Sequence, residues 1–82
     1  EISFLTGLRI IGLDDVGVIH KITNLISGEL KFNISAMTIE AKEGVFEGNV
    51  KIFVHDKEEL DELVNRLIAL PGIERVDRYD TE

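Results

Sequence analysis

Few side chains in this sequence can make or break bonds, and their spacing decides what chemistry is open to them. The 82 residues include no cysteine and only two histidines, His20 and His55. Without thiols there is no disulfide framework, no zinc knuckle and no CxxC metal carrier. His20 falls on the polar side of a helical stretch and His55 at a strand end, with no third ligand at metal spacing, so both read as exposed histidines. Ser3, Ser27 and Ser35 have no base beside them in sequence. Asp14 and Asp15 form a carboxylate pair at a strand-to-helix junction. Adjacent residues at a helix start point apart, and capping accounts for them without acid–base catalysis. The expectation is no catalytic residue, no metal set and no cofactor.

One segment offers binding chemistry. Leu13-Asp14-Asp15-Val16-Gly17-Val18-Ile19 joins a strand end to a helix start, where free N–H groups and the helix dipole favour an anion such as a carboxylate. Gly17 removes a side chain where a ligand or a second backbone would approach. The competing reading is a tight turn whose glycine packs against the second strand.

The elements that must position this loop follow from periodicity. Residues 2–13 are rich in Ile, Leu and Phe and read as a strand; apolar residues at Val18, Ile19, Ile22, Leu25 and Ile26 predict a helix over 16–30, with Asp14 or Asp15 at its start and Gly28 where it frays or ends. Residues 33–41 form a second strand, Lys42-Glu43-Gly44 a hairpin turn, and residues 45–55 a third strand with Val50, Ile52 and Val54 alternating. Asp56 precedes Glu59 by three residues, a capping-box spacing that opens a second helix with Leu60, Leu63, Val64 and Leu67 on one stripe. Pro71-Gly72 ends it, and residues 73–79 form a fourth strand. The order βαββαβ, with right-handed crossovers, gives an α+β ferredoxin-like fold: a four-stranded antiparallel sheet with two helices on one face.

Size and charge narrow the functions this fold can host. Eighty-two residues make one small domain, which buries roughly 60% of its unfolded surface. The net charge of -7 argues against free-standing affinity for DNA or RNA. An RNA-recognition module needs stacking aromatics on both central strands; Phe46 and Phe53 lie on strand three, but strand one offers no clear partner. An acylphosphatase needs an anion-cradling loop after strand one, and this loop holds two acids. No apolar run approaches the ~20 residues that span a bilayer, and no export signal is present, so a cytoplasmic location is expected. The chain opens on Glu1 and enters strand-like sequence almost at once, which predicts that 1–82 is a single domain excised from a longer protein.

The βαββαβ order, the run Asp14-x-x-Gly17-Val18-Ile19-x-x-Ile22, Asn33-Ile34 opening strand two, and Leu70-Pro71-Gly72-Ile73-x-x-Val76 after helix two together resemble an ACT domain over nearly the whole chain. Within that family, Ile22-Thr23-Asn24-Leu25-Ile26 and Asn33-Ile34-Ser35 are most similar to the C-terminal ACT domain of RelA/SpoT-type enzymes, the GTP pyrophosphokinases that make and degrade (p)ppGpp in the stringent response. The resemblance implies a regulatory module rather than a catalyst. It implies an amino-acid effector bound at Asp14, Asp15, Val16, Gly17, Val18 and Ile19, and contact with a second copy, with neighbouring domains of the parent enzyme, or with the ribosome in the full-length protein. An amino-acid-sensing domain of a biosynthetic enzyme is the alternative. The loop departs from the commonest ACT pattern, Asp-Arg-Pro-Gly, by having Asp15 and Val16 in the middle; Asp15 repels a free carboxylate unless it turns outward.

The open face of the sheet supplies a second expectation. If Leu8 and Ile10 point inward with Ile34, Val50 and Ile52, then Ile11 and Leu13 point outward beside Phe53, joined by Met37 and Ile39. A contiguous apolar group there marks a contact surface, so these five residues are the expected interface.

Overall fold

The computed structural model describes residues 3–80. The strands are β1 (Phe4–Leu13), β2 (Asn33–Lys42), β3 (Val45–Val54) and β4 (Ile73–Asp80), and the helices are α1 (Val16–Thr23) and α2 (Lys57–Ile68). All pairings are antiparallel in the order β2-β3-β1-β4, so β1 and β3 are central and β2 and β4 are edges. This is the expected ferredoxin-like arrangement.

The core lies between the sheet and the helices. Leu8 and Ile10 of β1 and Val50, Ile52 and Val54 of β3 meet Val18 and Ile22 of α1 and Leu60, Leu63, Val64 and Leu67 of α2, all buried. Period-2 alternation on the strands and one apolar stripe per helix bring these residues to a single interface.

Three local features differ from the sequence reading. The first helix does not stay α-helical to its end: Asn24–Glu29 is π-helical, with Leu30 N–H donating to the Leu25 carbonyl. The wider turn keeps Leu25 and Ile26 both in the core. Gly28 lies inside it, where a Cβ would stand 2.8 Å from Asn24 Oδ1. The hairpin turn is two residues, Glu43 (φ 55°) and Gly44 (φ 84°), a pair of left-handed residues that suits the twist of the flanking strands. At α2, Asp56 accepts from Glu59 N–H at 2.8 Å, and Glu59 reaches back to His55 N–H at 2.8 Å instead of to the cap residue itself.

A one-residue bulge at Ser35 has the largest effect on surface chemistry. Ile34 pairs with Ile52, but Ala36 pairs with Lys51, Met37 with Val50 and Ile39 with Gly48. Residues directly opposite each other share a face, so Met37 and Ile39 lie on the helix side. Their expected place on the open face is thus corrected: strict alternation from Ile34 would have put them there, and the extra residue inverts every later position.

Candidate functional site

The loop from β1 to α1 sits at one end of the sheet, pinned from two sides. Leu13 N–H donates to the Gly72 carbonyl at 2.9 Å, and Asp14 N–H to the Gly44 carbonyl at 3.0 Å. The first bond needs two glycines. A Cβ at Gly12 would stand 2.7 Å from the Gly72 oxygen, and one at Gly72, where φ is +92°, would stand 2.7 Å from Val18 Cγ2. The sequence reading assigned no such role to either; the Pro71-Gly72 turn was its only visible signal.

Asp15 is the N-cap of α1. Its backbone is extended and its Oδ1 accepts from Gly17 N–H at 2.8 Å, while its carbonyl accepts from Val18 N–H at 2.9 Å and Ile19 N–H at 3.2 Å. Two donors that an incoming carboxylate would use, the Gly17 and Val18 N–H groups, are therefore held by a single residue of the chain. The loop offers an anion a carboxylate already in place.

The six candidate residues divide into two groups. Asp14, Asp15, Val16 and Gly17 are exposed, Val16 at 83%. Val18 is buried against Gly72, and Ile19 is half-buried against the core. Gly17 lies inside α1, and a Cβ added there would meet only Asp15 Oδ1, at 3.3 Å, so it does not pack on β2. The rim continues into Leu13, 50% exposed, and its partner Val45. Beside them on the open face is a cleft of about 330 Å³ floored by Ile11 and Val45 and walled by Glu40, Lys42, Glu43 and Glu47.

The open face does not carry one apolar patch. Ile11 and Leu13 lie at the loop end, whereas Phe53, 40% exposed, sits opposite Leu5 at the other. Between them run Lys51, Asn49 and the Arg9–Glu47 ion pair at 3.5 Å. Arg75 and Asp77 of β4 pair at 2.8 Å beside this polar belt.

His20 on α1 and His55 between β3 and α2 are both exposed, His55 with Nδ1 3.4 Å from a Glu59 oxygen. Among the described residues, no three His, Cys, Asp or Glu side chains cluster as a metal site, and no helix is long and apolar enough to cross a membrane.

A βαββαβ sheet with its β1–α1 loop pinned at one end defines a ferredoxin-like domain. The ACT domain family model matches residues 2–78, and the chain belongs to that family. The crystal structure of the ACT domain from GTP pyrophosphokinase of Chlorobium tepidum is 36% identical, with a TM-score of 0.86 over 95% of this chain and 100% of that one. Its solution NMR structure is 35% identical, with a TM-score of 0.84 over 98% of this chain and 90% of that one. A homoserine dehydrogenase from Thiobacillus denitrificans, 18% identical over 99% of this chain and 18% of that one with a TM-score of 0.68, shares the fold. Curated protein sequences give no significant match.

Proposed function

We propose that this chain is the C-terminal regulatory ACT domain of a cytoplasmic (p)ppGpp synthetase/hydrolase, a GTP pyrophosphokinase of the stringent response. It works by contact, with a second copy, with neighbouring domains of the parent enzyme, or with the ribosome in the full-length protein, and by coupling an amino-acid signal to those contacts. The observation that carries this reading is 36% identity across the full length of an ACT domain from a GTP pyrophosphokinase. The loop favours contact over capture of a free amino acid, because Asp15 already holds two of the donors at the start of α1, from Gly17 and Val18, while Leu13 and Val16 stand exposed beside it. The 18% likeness to a homoserine dehydrogenase supports the fold alone, so the biosynthetic-enzyme alternative gains nothing from it.

The test is made on the parent protein. It should synthesise (p)ppGpp from GTP and ATP, and removing residues 1–82 should change the balance of synthesis to hydrolysis several-fold with the catalytic region still folded. A parent lacking both activities, or one whose balance does not respond to removal, overturns the reading.

A further inference from the structure

On the open face of the sheet, beside the β2–β3 hairpin turn, the cleft of about 330 Å³ has an apolar floor and an acidic rim. The floor is Ile11 and Val45, and it runs on into Leu13, which stands opposite Val45 and is 50% exposed. Both helices pack on the other side of the sheet, so neither covers this floor.

Two residues of the rim are poorly matched to each other. Glu40 of β2 and Glu47 of β3 stand directly opposite on this face, with Cβ atoms about 5 Å apart at ordinary sheet spacing. Like charges so placed repel, and most other pairs would serve the sheet better. Glu47 is met by Arg9 at 3.5 Å and by Asn49 Nδ2 at 3.3 Å, whereas Glu40 has no partner among the described residues. Lys42, two residues along on the same face, pairs with neither, and Glu43 in the turn is also unpaired. Arg75, opposite Ile11, is held by Asp77 at 2.8 Å. Glu40, Glu43 and Glu47 thus face only Lys42 and Arg9, and the surplus around the cleft is negative. The other end of the sheet, where Asp80 pairs with Thr6, lies about 16 Å along β1 and does not enter this balance.

Spacing then selects the occupant of the apolar floor. Glu47 and Val45 are two residues apart on one strand, hence on the same face and about 6.6 Å apart. An extended partner segment has the same period, so an arginine and an apolar residue two positions apart meet both at once. A guanidinium forks between two carboxylates, whereas the phosphates of RNA are repelled by them. Among the described residues no third ligand completes a metal site there.

We propose that this cleft docks an extended segment of a partner protein carrying an arginine and an apolar residue two positions apart, the guanidinium between Glu40 and Glu47 and the apolar side chain on Val45 and Leu13. The proposal concerns the domain itself, so its failure leaves the (p)ppGpp assay above untouched. The probe is the capped tripeptide acetyl-Leu-Ala-Arg-amide, titrated into the 82-residue chain and followed by backbone amide shifts. Saturable shifts at Ile11, Val45 and Glu47 are expected, with half-saturation at about 1 mM in low salt. The citrulline peptide, of the same shape without the charge, should bind about tenfold more weakly. Glu40→Gln should weaken the arginine peptide about tenfold and raise the melting temperature of the free chain, because it relieves the facing charges; a carboxylate with only a structural role would lower the melting temperature and leave binding alone. Val45→Thr, which keeps the branched shape, should weaken binding several-fold. Absence of saturable shifts, shifts confined to other surfaces, equal binding of the citrulline peptide, unchanged binding by Glu40→Gln, or tighter binding of oligouridylate at these amides each overturns the proposal. Peptide-free shifts at the same amides that grow with protein concentration assign the cleft to a second copy and overturn it as well.

Discussion

Asp14 and Asp15 are chemically identical neighbours with different work to do. Asp15 closes the start of α1, whereas the side chain of Asp14 accepts no hydrogen bond among the described residues. Asp15→Ala should therefore cost about 1 kcal/mol, the usual loss for an N-cap. In a domain of this size that lowers the melting temperature by roughly 4–8 °C. Asp14→Ala should change it by no more than about 3 °C, which a paired thermal melt will show. The glycines invert the expectation the sequence raises. Gly17 resembles the residue that needs freedom, yet it is helical and open, while Gly72 at φ +92° has Val18 pressed against it. Gly72→Ala should cost at least about 1–2 kcal/mol from the left-handed backbone alone, before any clash. Gly17→Ala should lie within about 1 kcal/mol of wild type, because the gain in helix propensity offsets a small displacement of the Asp15 cap. Urea unfolding of the two variants separates these outcomes.

At the scale of elements, the order of strands and helices was legible because every element carries a strong period: Val50, Ile52 and Val54 alternate, and Leu60, Leu63, Val64 and Leu67 fall on one stripe. The Asp56 cap and Asp15 as one of two candidate caps were legible for a related reason, since short polar side chains before apolar runs have few other roles. What was not legible has a common physical cause. The bulge at Ser35 adds one residue without altering composition, and it moves Met37 and Ile39 to the opposite face. The π-helical turn carries the same apolar residues an α-helix would, and differs only in which carbonyl each N–H meets. The bulge depends on pairing with β3 and the π turn on a one-residue shift of the acceptor, and neither changes the apolar pattern along the chain. The faces of β3, by contrast, follow simple alternation and make a sharp prediction. Ile52→Glu buries a carboxylate with no partner on a fully enclosed position and should abolish cooperative unfolding, whereas Phe53→Glu, one residue on, should melt within about 4 °C of wild type by circular dichroism.

For the molecule as a whole, the polar belt of Arg9, Glu47 and Lys51 divides the open face into two unconnected apolar ends. Ile11→Glu and Phe53→Glu should accordingly act independently: the double variant's change in unfolding free energy should equal the sum of the singles within about 0.5 kcal/mol, where a shared patch would show coupling. The strand order has a further consequence for how the domain comes into being. β1, the first strand of the domain, lies in the middle of the sheet, and its partner on one side is β4, paired from Gly12 with Ile73 to Thr6 with the last described residue. During synthesis, β1 must wait for the rest of the domain as far as β4 to emerge before that edge is covered, and the loop-closure entropy for joining segments so far apart falls due in a late step. Until then a nascent chain presents β1 with one open edge, although every fully buried core residue from Leu8 to Leu67 has already been made, and that open edge is the part most prone to mispairing with neighbouring chains. A messenger cut short before the codon for Ile73 would therefore yield an aggregation-prone fragment instead of a smaller working domain.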